Sequence, residues 1–187
     1  MFKDNINIAG KIEIRVKDKN GKQKLIWQEY RFLHFVRKHF GINFPKLFGI
    51  TGYLTRTAKY ANLVTTSGKG LISGRINGVG SPAAPTAMAI GTGAVAANAA
   101  DTALGAESTG NGSDRGAGTA TLVTTTVAND TCQLVKSWTV LTTFAITEMG
   151  IFNNAVSGGT LLVRNVFSAY NLQANDTFEI THKLKNA

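Results

Sequence analysis

Lys11-Ile12-Glu13-Ile14-Arg15-Val16-Lys17 alternates charged and apolar side chains without a break. Successive side chains of an extended chain point to opposite faces, so this period of two predicts a β-strand with Ile12, Ile14 and Val16 turned to a core and the charges turned to water. Asn20-Gly21 comes next. Both residue types accept positive φ, which predicts a hairpin turn here, with residues 24–28 returning beside the first strand.

The same texture recurs in the second half of the chain. Residues 119–127, 132–140, 143–152, 159–167 and 176–184 are strand-like runs, separated by Asn129-Asp130, Asn153-Asn154, Gly158-Gly159 and Asn175-Asp176. These are turn residues, because Asn and Gly tolerate left-handed backbone and Asp accepts hydrogen bonds from nearby backbone. The tetrapeptide Ala-Asn-Asp-Thr occurs at 128 and at 174, each time introducing an apolar alternating run. Shared turn chemistry accounts for it without a repeat architecture. Twenty glycines against three prolines, with hydrophobic residues at 43% and charged residues at 17%, describe a chain able to fold around a core. The expected fold is all-β, an antiparallel β-sandwich or jelly-roll-like domain spanning residues 1–187.

One stretch interrupts this pattern. Phe32, Phe35, Val36 and His39 fall at helical spacing, Gly41 suits a helix end, and Pro45 and Gly49 break the run after it. Residues 30–60 therefore read as a small, partly helical insertion, both basic and aromatic. Arg31, Phe35, Arg37, Lys38, Phe40, Phe44, Lys46 and Arg56 are its candidate partner-binding residues. Phenylalanines of this density serve a core or a docked protein, while the cations can neutralise phosphates and the rings can stack on bases. Protein docking or core packing is preferred over nucleic acid or a membrane. Residues 67–86 read as a loop around a short helix at most, with Gly68 and Gly70 as loop glycines. Residues 105–118, nearly all small and polar, read as a flexible loop.

The net charge of +9 is unevenly placed: residues 1–75 carry +11 and the remainder −2. A basic front half joined to a near-neutral rear half reads as an attachment region beside a packing region, against the plainer reading of a solvated surface. The single cysteine, Cys132, excludes an internal disulfide and a cysteine-based zinc site, and its strand-like setting predicts a buried thiol. The amino-terminal residues lack an apolar secretory core, and 87–100 is too short and too broken by glycine to span a bilayer, which predicts synthesis inside the cell. The sequons at Asn129 and Asn175 then carry no glycan.

Catalytic patterns are missing. There is no Gly-x-Ser-x-Gly elbow and no P-loop, and Gly91-Thr92-Gly93 lacks the third glycine of a dinucleotide site. His34, His39 and His182 show no metal-binding spacing and read as partly exposed surface imidazoles. Asp101, Glu107 and Glu148 are the carboxylates whose convergence would matter for glycoside cleavage. Glu148 either faces solvent or pairs in the interior with a base such as Arg164. Trp27, Trp138 and exposed tyrosines are the possible stacking platforms, with Trp138 better suited to a core. No cofactor is expected.

Residues 62–68 (Asn-Leu-Val-Thr-Thr-Ser-Gly), 88–93 (Met-Ala-Ile-Gly-Thr-Gly), 101–107 (Asp-Thr-Ala-Leu-Gly-Ala-Glu), 146–153 (Ile-Thr-Glu-Met-Gly-Ile-Phe-Asn), 158–164 (Gly-Gly-Thr-Leu-Leu-Val-Arg) and 166–168 (Val-Phe-Ser), with a terminal strand opened by Asn-Asp-Thr at 175, form an ordered succession. It resembles that of bacteriophage virion structural proteins of the tail, baseplate or capsid-surface type, over about residues 62–184. The opening hairpin resembles theirs too, whereas the basic aromatic stretch departs from the pattern. The resemblance implies a non-enzymatic component of the virion, made in the host bacterial cytoplasm and assembling with itself and other virion proteins. The alternative it leaves open is a receptor- or glycan-binding module on the particle surface. Gly91, Gly93 and Gly150 suit tight turns or bulges in this frame. The β-branched, nearly uncharged run 119–126 would be hazardous as a free sheet edge unless neighbouring subunits paired with it.

Overall fold

The computed structural model describes residues 8–29, 52–55 and 57–186. Two five-stranded antiparallel sheets pack face to face, which is the β-sandwich expected from the alternating runs. The strands are β1 (Ile8–Lys17), β2 (Ile26–Glu29), β3 (Gly52–Thr55), β4 (Ala58–Ala61), β5 (Leu63–Val64), β6 (Ala87–Gly91), β7 (Gly116–Ala117), β8 (Thr119–Val123), β9 (Thr131–Thr139), β10 (Phe144–Phe152), β11 (Leu161–Leu172) and β12 (Thr177–Asn186). A helix, α1 (Thr66–Asn77), lies between β5 and β6. The first sheet has the order β4-β1-β12-β9-β8, the second β5-β11-β10-β6-β7, and β2 pairs with β3 in a separate ribbon.

Register explains the burial. Across the first sheet, Tyr60, Ile12, His182, Leu134 and Ala120 share one row, and Val16, Phe178 and Trp138 another. These rows face the second sheet, and Ile12, Ile14, Val16, Phe178 and Ile180 are at most 2% exposed. The opposite face carries Lys11, Glu13, Arg15, Lys59 and Lys183, as the period of two in β1 requires. Trp138 belongs to the core and donates its indole N–H to the Asp114 carbonyl at 2.9 Å, which leaves it no role as an exposed platform.

The second sheet is covered on both sides. Met88, Ile90, Met149 and Ile151 face the first sheet, while Ala87, Ala89, Leu161 and Phe152 form a separate cluster with Leu104 on the reverse face. Sheets buried on both faces lose polar alternation, which is why β6 and the end of β10 read as continuous apolar runs.

Four expectations are corrected. The hairpin after β1 closes with Gly21 at φ 78° while Asn20 keeps negative φ, and Asp18 accepts backbone N–H from Asn20, Gly21 and Lys22. The return run makes one bridge, Lys17 to Gln23, and then leaves for β3, because β12 and β4 already occupy both sides of β1. Second, Gly68 and Gly70 lie inside the twelve-residue α1, capped by the Thr65 hydroxyl and ended by left-handed Gly78. Third, Cys132 is exposed: its row on β9 ends beside Leu122 on the outermost strand, so little covers it. Fourth, Gly91 and Gly150 are paired within β6 and β10 and are not turn residues; there and at Gly93 the closeness of neighbouring atoms, which leaves no room for a Cβ, explains the glycine.

The repeated Ala-Asn-Asp-Thr does share turn chemistry, since Asn129 and Asn175 both take left-handed backbone, at φ 59° and 69°. Asp130 and Asp176 then accept backbone N–H groups of their own turns. The helical reading of the basic aromatic stretch falls on 30–51, outside the described residues, whereas its end supplies β3 and β4, and Ala58 is fully buried.

Candidate functional site

The eight candidate partner-binding residues, Arg31, Phe35, Arg37, Lys38, Phe40, Phe44, Lys46 and Arg56, all lie outside the described residues, as do His34 and His39. The basic character of the front half does continue onto the described surface. The outer face of the first sheet presents Lys11, Arg15, Lys17, Lys59, Lys183 and Lys185 against Glu13 and Glu179. Arg15 bonds both carboxylates, and Lys11 lies 3.2 Å from Glu13. Burial opposes ionisation of Glu13, yet Lys11, Lys59 and Lys183 together hold its pKa below the usual value.

Three of the carboxylates singled out by sequence meet on the reverse face of the second sheet, each tied to an arginine. Glu148 is fully buried, and its carboxylate accepts from Gly93 N at 3.0 Å, Gly105 N at 3.0 Å and Ala106 N at 2.7 Å. Arg164 completes the set with Nε at 2.9 Å and Nη2 at 2.8 Å, a forked pair of charge-assisted bonds. Of the two alternatives for Glu148, the structure shows the interior pair. The same guanidinium bonds Asp101 at 2.7 Å and the Val95 carbonyl at 3.2 Å. Burial would raise the Glu148 pKa, but the backbone donors and Arg164 outweigh it and lower it instead. For Arg164 burial works against the charge, and Asp101 and Glu148 reverse the balance and raise its pKa. Glu107 pairs with Arg115, whose guanidinium stacks 3.6 Å over the Phe152 ring.

This arrangement anchors the loop from 92 to 115 over the sheet. Gly91 and Gly93 are glycines because a Cβ there would meet the Ala106 carbonyl at 2.3 Å or the Glu148 carboxylate at 2.3 Å. The stretch 105–118 contributes two donors to Glu148, the Arg115 pair, the acceptor for Trp138 and β7. Both oxygens of Glu148 are directed at fixed donors, which suits it to positioning loops.

Clefts also lie elsewhere among the described residues. A polar one of about 650 Å³ sits at the β1–β2 turn, where Lys24 and Asp176 pair at 2.7 Å beside Asn20, Gln173 and Asn175. An apolar one of about 470 Å³ opens between α1 and the edge of the first sheet, lined by Ile72, Ile76, Leu122, Leu134, Leu162 and His182. His182 is 3% exposed, which corrects the surface reading. Its place in the alternation Phe178, Ile180, His182, Leu184 is the signal that could have placed it inside. Asn62 Nδ2 lies 2.7 Å from His182 Nε2, crossing β1 where Gly10 leaves room for it.

Among the described residues, no group of three or more His, Cys, Asp or Glu side chains is placed to hold a metal, and no helix is long and apolar enough to cross a membrane. Compared with known proteins, the chain matches no family model, no curated protein and no solved structure.

Proposed function

We propose that this chain is a structural subunit of a bacteriophage particle, of the tail, baseplate or capsid-surface group, assembling with copies of itself and with other virion proteins. One observation carries the reading. Five segments of the resemblance, spread from residue 62 to residue 164, meet around the second sheet, where Gly93, Asp101, Gly105, Glu148 and Arg164 form one bonded cluster, while its opening and terminal strands lie in the first sheet. The Thr65 hydroxyl, meanwhile, reaches the Leu161 carbonyl. That these segments serve packing and loop anchoring supports a structural role.

The basic front half supports attachment to an acidic neighbour by long-range attraction. The test is to band particles from an infected source culture on a density gradient and quantify this chain by mass spectrometry. Multi-copy enrichment with the infectious band is expected. Recovery only in the unassembled fraction would refute a virion role.

A further inference from the structure

We propose that β8 is a self-pairing edge, through which two copies of this chain join by antiparallel alignment of Thr119–Val123 with its counterpart. The first sheet would then run on across a two-fold axis at Thr121. The two large sheets have four edges between them. β5 and β7 are two residues long and offer little backbone to a partner. β4 carries Lys59 and is approached by β2. β8 has none of these protections: it is five residues long, Thr-Ala-Thr-Leu-Val, with no charge and no proline, and no described strand pairs with its outer side. Bare edges of this kind template further pairing, and natural proteins block them unless pairing is their purpose.

The strand is complementary to itself. Antiparallel alignment about Thr121 sets Thr121 against Thr121, Ala120 against Leu122 and Thr119 against Val123. Small residues meet large ones and no like charges oppose each other, the cross-strand pairing that favours association. A two-fold arrangement also closes, so it gives a defined dimer.

Strand pairing over five residues falls short of the roughly 1,200 Å² that specific interfaces bury. The apolar cleft supplies the rest. It opens under this same edge, and Leu122 and Ile76 at its mouth are 60% and 82% exposed. In the dimer each Leu122 faces the partner's Ala120, and the two α1 helices bring Ile76 over the joined strands. Such a dimer is a property of the free protein and does not depend on the particle reading.

The experiment is sedimentation of the full chain over micromolar to millimolar concentration at low and high salt. A dimer is expected, tightened by salt because each copy carries +9. Thr121→Lys places like charges at the axis and should raise the dissociation constant at least about 100-fold, and Ile76→Lys about 10-fold. Val156→Lys, at an equally exposed position in the turn before β11, should leave it unchanged. Near-ultraviolet circular dichroism confirms that each variant is folded. A Thr121→Cys, Cys132→Ser variant should form a disulfide-linked dimer on oxidation. A monomer at every concentration, or a dimer indifferent to Thr121→Lys, overturns the proposal. A dimer from a chain missing from particles leaves β8 pairing intact and removes the virion reading alone.

Discussion

His182 shows how one residue ties the interior to pH. It lies in the row between Ile12 and Leu134, with Leu184 and Cys132 on the same face and Arg75 across the cleft. Burial pushes its pKa down to about 4. The unfolded imidazole takes a proton near 6.5, so between those values the unfolded state binds protons that the fold refuses. Stability is therefore full above about pH 6.5 and falls by about 3 kcal/mol as pH drops towards 4. Urea midpoints at pH 7, 5.5 and 4.5 should decline in the wild type and decline less in His182→Leu; equal slopes would remove His182 as the cause. Glu148 acts lower on the scale: its pKa is depressed, so its contribution is lost only as pH falls below the ordinary glutamate value. Glu148→Gln replaces one acceptor oxygen by a donor, which faces either Gly93 and Ala106 or Gly105 and Arg164, and it leaves Asp101 as the one carboxylate bonded to Arg164. A loss of about 3–5 kcal/mol in urea unfolding is expected, with faster hydrogen exchange at residues 93–106. The pairing of Glu148 with Arg164 was one of two readings open in the sequence, since alternation places a carboxylate on a face without saying what covers that face. The covering loop, 92 to 115, consists mostly of small residues with no period to read.

Strands were the legible elements. β8 to β12 begin and end within a few residues of the alternating runs, because one-sided or two-sided burial of a strand writes itself into consecutive side chains. α1 was not legible, since three of its twelve residues are glycine and its apolar residues, Leu71, Ile72 and Ile76, make only a weak stripe. Packing on β11 overrides that propensity. A Cβ on Gly68 would meet the Leu162 carbonyl at 2.4 Å, whereas at Gly70 it would meet nothing within 4 Å. The same Gly→Ala change should therefore have opposite signs at two sites in one helix. Gly70→Ala should stabilise by about 0.5–1 kcal/mol, and Gly68→Ala should destabilise despite its helix-propensity gain. Thermal midpoints of the two variants decide this, and stabilisation by both would mean that α1 does not rest on β11 as closely as the structure shows.

At the scale of the whole molecule, the chain passes from the first sheet to the second between β9 and β10, turns back along β11, and returns to the first sheet at β12 beside β9. Sequence could not disclose this exchange, because identical alternation serves a strand in either sheet and pairing partners lie far apart. Its consequence is energetic. The main core cluster draws on both sheets, with Phe178 and Trp138 from one and Met149, Leu172 and Tyr170 from the other. Neither sheet can open without exposing the apolar face of its partner, and four crossings of one chain, at β4–β5, β7–β8, β9–β10 and β11–β12, tie them together. Unfolding should accordingly be a single cooperative transition. In a Trp27→Phe variant, Trp138 is the only indole, and it reports the core directly. Its fluorescence and the far-ultraviolet circular dichroism should trace superimposable guanidinium curves with one midpoint. Separate midpoints would mean that one sheet survives the loss of the other, and the shared core would then be a contact between two independent units.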